Sequence, residues 1–272
     1  MKVLDHAAAA AVIPRAAATT LVVRDGAPGL EVLMVRRSMQ ASFMPGAYVF
    51  PGGAVDSADA SAQSERLCDE SVASLRHRIG TVTQVGDAAL GYAVAALREC
   101  FEECGLWLGA SAEAALRCCD LRVQLSAGES MAALAQRHRL PLATSTLQPW
   151  SHWVTPFGVP KRFDTLFLVA PAPAGQTPEV DAGETTALEW VQPAAALSAL
   201  AGGTFQMEFA TVRTVESLLP YASVAEVLAE AHSRTALPPL HPRLLRDAQG
   251  RMKGVLLPGQ QGYDGAMRSA DI

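Results

Sequence analysis

Glu99, Glu102 and Glu103 stand within five residues of one another in the run "LRECFEECGLWL", 97–108, just before a glycine. Clustered carboxylates are hard oxygen donors. The chemistry they suit is holding a divalent cation such as Mg²⁺, which prefers carboxylate and water oxygens. Upstream, Leu90, Val94, Leu97 and Phe101 recur at steps of three and four, the spacing of one apolar helix face. This predicts a helix from about 87 to 104, capped by Asp87 and stopped by Gly105. The three glutamates, at i, i+3 and i+4, then share a second face. By itself that arrangement is unfavourable. Like charges at these spacings cost about 0.2–0.5 kcal/mol per pair. Anions near a helix C-terminus oppose its dipole by roughly 0.3–1 kcal/mol each. A total penalty of about 1–3 kcal/mol calls for an offset. A cation supplies one, and Arg98 can pair with one of the acids. The plainer reading is a solvated acidic face.

The elements that must position this helix are legible on both sides of it. "AAATTLVVR" (16–24) and "LEVLMVRR" (30–37) read as two strands around a "DGAPG" turn. "FMPGAYVFPGGAVD" follows with a Pro-Gly turn, a short aromatic strand and a Pro-Gly-Gly loop. Residues 57–86 are polar and weakly helical. After the acidic helix come a helix at 130–140 with Ser130 as cap, strands in "LQPWSHWVTP" and "RFDTLFLVAPAP", a strand-turn-helix at 187–203, and one or two helices through 209–234. The tail, "RDAQGRMKGVLLPGQQGYD", has the pattern of a hairpin. Strands before and after a central helix predict an α/β fold with helices on both faces of a sheet.

Composition narrows the partners. The 272 residues suffice for one large domain with extensions. A net charge of −5 argues against nucleic acid, which calls for a basic stripe. No apolar run reaches the roughly 18–20 residues that span a membrane, so no membrane partner is expected. The start, 1–15, reads as an irregular tail and not as a signal peptide, because its alanine run follows Asp5 and His6 and is broken by Pro14. The five cysteines are odd in number and lack zinc-site spacing. They read as buried thiols in a reducing compartment, and a cytoplasmic location is expected.

The Gly-Gly loop and the acidic helix together resemble the Nudix hydrolase superfamily, whose signature is G-x5-E-x7-R-E-U-x-E-E-x-G-U, with U a bulky apolar residue. Its second half stands here as "RECFEECGL", Arg98 to Leu106. Gly53 matches the motif glycine, and Asp59 falls where the family places its first glutamate. Gly53 and Arg98 are 45 positions apart where the family spacing is 14, so the box carries an insertion of 31 residues. The resemblance implies a Nudix-type α-β-α sandwich with a mixed central sheet over 16–236, a helical insertion at about 60–86, and a C-terminal extension over 237–272. It further implies a hydrolase that cleaves a nucleoside diphosphate linked to another group. Glu99, Glu102 and Glu103, with Gly53 beside them, would hold Mg²⁺ or Mn²⁺. Arg98 would orient a glutamate, and Glu184, in "VDAGETTALEW", is a candidate general base or else an exposed loop acid. Asp56 and Asp59 would either help hold a metal or cap a helix of the insertion.

The stretch "LMVRRSMQASFMPGAYVFPGG" bears on the substrate. Nudix enzymes acting on coenzyme A resemble L-L-T-x-R-S-x3-R-x3-G-x3-F-P-G-G just before the box. Arg37-Ser38, Gly46 and Phe50-Pro51-Gly52-Gly53 match, whereas Val35 replaces the threonine and Ser42 the second arginine. The long insertion, with "WVTP" (153–156), "RFDTLF" (162–167) and "LLPG" (256–259), is similar to the peroxisomal-type coenzyme A diphosphatases. The chain ends "SADI", without a peroxisomal address. Coenzyme A or acyl-coenzyme A is therefore the expected substrate, bound by Arg36, Arg37, Ser38, Phe50, Gly52, Gly53 and Arg162, with Lys161 as a further cation. ADP-ribose, NADH or another nucleoside diphosphate derivative is the alternative, and a silent nucleotide-binding domain stands behind both. A homodimer is compatible with the pattern.

Overall fold

The computed structural model describes residues 12–266 apart from 42, 43, 117–120, 182, 248 and 250. Ser42, Cys118 and Cys119, and residues 1–11 of the expected tail, lie outside the described residues. Strand β1 (Arg15–Gly26) alternates its side chains between two faces, as a strand buried on both sides must. Ala18 and Val22 enter one core, Leu21 and Val23 the other. A turn at 27–28 returns the chain as β2 (Gly29–Arg37), antiparallel to β1. β3 (Tyr48–Val49) pairs with β2, and β4 (Gly52–Ala54) pairs with the start of β1.

The far strands complete a seven-stranded mixed sheet. β5 (Gln148–Val154) pairs antiparallel with β6 (Phe163–Pro171), which runs parallel to β1. β7 (Thr185–Val191) lies antiparallel to β2. On one face lie the acidic helix, Ala89–Cys104, the insertion and helix Met131–His138. On the other lie Pro193–Ala201, Phe209–Leu218 and Val224–Ser233. The expected α-β-α sandwich is thus formed.

The insertion is helical, with short helices Ala62–Leu67 and Val72–Leu75 and a π-helical turn Arg76–Thr81. Arg78 fastens it by donating to the Leu147 and Thr144 carbonyls and to Glu70. The Leu237 amide donates to the Val82 carbonyl and the Leu240 amide to the His152 carbonyl, so the C-terminal segment is stitched to both insertion and sheet edge. It ends in a separate hairpin of β8 (Arg243–Arg246) and β9 (Met252–Leu256).

Two local expectations are corrected. Asp87 does not cap the acidic helix. Gly86–Ala88 form a 3₁₀ turn ahead of it, and Asp87 pairs with Arg76 at 2.7 Å. Nor does the helix have merely one apolar face. Its alanines and cysteines bury it nearly all round, because the insertion and the following helices close over it. Of its residues, Glu99 and Glu102 alone escape full burial. Gly105 does end it, in the left-handed conformation expected of a glycine stop. Among the described residues, no helix is long and apolar enough to cross a membrane.

Candidate active site

The site forms where the end of the acidic helix meets the Gly-Gly loop. β4 is held on β1 with Ala18 opposite Gly53 and Thr19 opposite Gly52. This register presses the loop onto the helix. A Cβ on Gly53 would run into the Glu99 carboxylate, and one on Gly52 into the Ala18 carbonyl and Thr19. At Gly52 the obstruction is backbone, so glycine is required there; at Gly53 it is the Glu99 carboxylate, which a side chain would push aside. The Gly52 amide donates to Glu103 Oε2 at 3.0 Å and fixes that carboxylate.

Arg98 organises the other two acids. Its Nη1 donates to Glu99 Oε1 and to Glu102 Oε2, each at 2.8 Å. Its Nε and Nη2 form a fork onto Asp59, at 3.0 and 3.1 Å, and Nη2 also reaches the Ala54 carbonyl at 2.8 Å. Asp59 accepts the Asp56 amide as well. Asp59 thus holds the guanidinium, and the first helix of the insertion is capped by Ser61 instead. Its two oxygens are committed to the guanidinium and the turn. Asp56 is exposed and pairs with Arg15 at 3.3 Å.

Burial raises all three glutamates. Glu99 is pushed up to about 7 by desolvation, against the pull of Arg98. Glu103, buried most deeply, is pushed up to about 8, with the charge of Glu99 adding and the Gly52 amide opposing. Glu102 is raised by burial too, and Arg98 opposes. Excess negative charge in a poorly solvated pocket is the condition a cation relieves. Among the described residues, no three acidic, imidazole or thiol groups converge into a ready-made cage. Arg98 and Gly52 draw the carboxylates aside. A hard cation does not need a cage, because Mg²⁺ keeps several waters and takes one or two carboxylates plus substrate phosphate. The donor set fits such an ion.

The remaining predicted residues divide. Glu184 is exposed in the loop before β7, and its charge is felt at Glu102 and Glu103. The Ser38 amide donates to its carbonyl at 2.8 Å. Arg37 lies on the helix side of β2, and its charge acts on Glu103. Arg36 points to the opposite face, 6.0 Å from the Tyr48 ring, and so is separated from the acids by the sheet. Phe50 is 2% exposed and packs edge-on to Phe167 in the second core, so it presents nothing to a ligand. Arg162 donates to the Thr155 and Val12 carbonyls and lies over Phe157, where it fastens the chain's entry into β1. Lys161 is exposed at the turn before β6.

Two contributors escaped the sequence reading. Arg122 donates to the Glu102 carbonyl at 2.7 and 3.2 Å, which places a cation on the C-terminal end of the acidic helix. Nothing in its spacing announced this. Asp181 accepts from the amides of Gly183, Glu184 and Thr185 and from the Thr185 hydroxyl, which shapes the Glu184 loop. Its "DAGET" context carried the signal of an aspartate-initiated turn.

Comparison with known proteins bears on the family and the fold. The acyl-coenzyme A diphosphatase NUDT19 of Xenopus laevis is 26% identical over 205 residues, covering 61% of this chain and 54% of its own length. The human protein of that name is 27% identical over 280 residues, covering 87% of this chain and 73% of its own length. The chain thus spans about half the length of the frog relative. A crystal structure of a Nudix hydrolase from Alicyclobacillus acidocaldarius superposes with a TM-score of 0.66 at 27% identity, over 80% of this chain and 97% of that one. The family model described as the NUDT19 Nudix domain matches residues 6–207, a span holding the glycine loop, the insertion and the acidic helix, and the chain accordingly belongs to the Nudix hydrolase family in its NUDT19 branch.

Proposed function

We propose that the protein hydrolyses the diphosphate of coenzyme A or an acyl-coenzyme A, with Mg²⁺ or Mn²⁺, to 3′,5′-ADP and (acyl-)phosphopantetheine. The observation that carries the reading is the set of three desolvated glutamates on a helix end closed by Gly52 and Gly53. The substrate class is supported by relatives named acyl-coenzyme A diphosphatases and by Arg37 and Ser38 beside the site. Glu99, Glu102 and Glu103 would hold the ion, with Gly53 keeping space beside Glu99. When bound, such a cation supplies charge compensation for the diphosphate and acidifies a water. Arg98, locked by Asp59, sets the directions of Glu99 and Glu102. Arg37 offers a charge-assisted bond to a phosphate. Glu184, exposed and near enough for its charge to act on Glu102 and Glu103, takes the proton of the attacking water. One water is consumed across the P–O–P bond, and its two fragments leave as phosphates. The buried free thiols Cys100 and Cys104 suit a reducing compartment, the cytoplasm.

The test is a hydrolysis panel of coenzyme A, an acyl-coenzyme A, dephospho-coenzyme A, ADP-ribose and NADH, with products separated by mass. Release of 3′,5′-ADP from coenzyme A, lost in Glu102→Gln, is the expected result. Cleavage of ADP-ribose or NADH with coenzyme A untouched would keep the reaction and overturn the substrate. Metal binding without cleavage of any substrate would leave a silent nucleotide-binding domain.

A further inference from the structure

We propose that Arg122 is a positioning residue that fixes the Glu184 loop to the end of the acidic helix and acts on turnover through Glu184. The proposal rests on the reading of Glu184 as the base. A helix end leaves its last carbonyls without partners. Here the Glu102 carbonyl is taken by Arg122 Nε and Nη2, at 3.2 and 2.7 Å. The Cys104 carbonyl is taken by the Glu179 amide at 2.8 Å. Arg122 Nη1 then reaches the Glu179 and Val180 carbonyls, at 3.1 and 3.3 Å. One guanidinium thus spans from the backbone of a candidate metal ligand to the strand of chain that leads into Glu184.

The loop is pinned at both ends of this bridge. Upstream, the Gln176 side chain donates to the Trp107 and Ala110 carbonyls and accepts the Trp107 amide. Downstream, Asp181 collects the Glu184 and Thr185 amides, and the Ser38 amide holds the Glu184 carbonyl. Between these pins, Arg122 ties the loop to the helix end beside the single backbone bond from the Glu179 amide to the Cys104 carbonyl. A rigid fork does this better than a single ammonium, because its donors bind separate carbonyls in fixed directions.

The test is steady-state hydrolysis of coenzyme A by wild type, Arg122→Met, Arg122→Lys, Glu184→Gln and the double variant Arg122→Met/Glu184→Gln, with amide hydrogen exchange on each. Displacement of the base predicts that Arg122→Met lowers kcat about tenfold or more with KM within about threefold. Arg122→Lys should fall between it and wild type. In the Glu184→Gln background, Arg122→Met should add less than about twofold, since residues acting as a unit are not additive. Losses that multiply in the double variant would overturn the proposal, as would a wild-type kcat in Arg122→Met. Exchange at Glu179, Glu184 and Thr185 should rise in Arg122→Met while the core of the sheet is unchanged. Unchanged exchange there overturns the positioning claim even if coenzyme A is not a substrate. Cleavage of coenzyme A by wild type with no loss in Glu184→Gln would sink this inference and leave the proposed reaction standing.

Discussion

Asp59→Asn tests the frame on which the acidic cluster hangs. Asp59 is 2% exposed and Arg98 8%, so their fork is screened little by water. Removing one partner of a buried ion pair costs about 3–5 kcal/mol. Arg98 keeps Glu99 and Glu102 as partners at 2.8 Å, which puts the loss at the lower end, about 3 kcal/mol. For a domain of this size each kcal/mol moves the melting midpoint by roughly 2–4 °C, so a fall of about 6–12 °C is expected. Asparagine can still accept the Asp56 amide, so the turn into the insertion survives and the loss reports the ion pair. The released Arg98 donors turn further onto Glu99 and Glu102 and compete with a cation for them. Midpoints measured by circular dichroism, with and without Mg²⁺, read both effects. A midpoint within about 2 °C of wild type would refute the reasoning, because a 3 kcal/mol effect would then be absent. So would an undiminished gain from Mg²⁺.

Three further outcomes follow from the same geometry. Gly53→Ala places a methyl in the space of the Glu99 carboxylate, and at least a tenfold loss of cation affinity is expected, on the order of the effects seen when a ligand's support is disturbed; unchanged Mn²⁺ titration would argue against the close approach. In the metal-free protein, Glu99 and Glu103 titrate near 7 and 8 when folded and near the ordinary 4.5 when unfolded. The folded chain therefore binds more protons across that window, and the stability they contribute is full below about 4.5 and is lost as pH rises through 7 to 8. The metal-free midpoint should decline over this range and Mg²⁺ should restore more of it at the alkaline end; a rising metal-free midpoint would contradict the raised carboxyls. Arg37→Ala should raise the KM for coenzyme A about tenfold or more, the worth of a charge-assisted bond, whereas Arg36→Ala should leave it within about twofold; equal effects would mean that the sheet does not divide the two.

The legible part of the molecule was local. The spacing of Glu99, Glu102 and Glu103, the stop at Gly105 and the Gly52-Gly53 pair each follow from chemistry within a few residues, and the structure places all of them together. The apolar runs at 16–24 and 30–37 around a "DGAPG" turn likewise predicted β1 and β2, because strands buried on both faces are apolar nearly throughout. Asp59 was harder. The insertion separates it from Arg98 by 39 positions, and only folding shows that it holds the guanidinium. Adjacent residues of a strand face opposite ways, so Arg36 and Arg37 had to differ, but only the packing shows that the Arg37 face is the acidic one. Phe50 and Arg162 sit at motif positions, but packing and backbone carbonyls have claimed their side chains.

The sequence by itself determined the reaction chemistry on offer, since carboxylates, glycines and their helical spacing are properties of neighbours along the chain. Tertiary structure decided which distant groups meet. Arg122 reaches the Glu102 carbonyl across 20 positions and the Val180 carbonyl across 58. Contacts at such separations are set by how whole elements pack, and no periodicity within either segment records them.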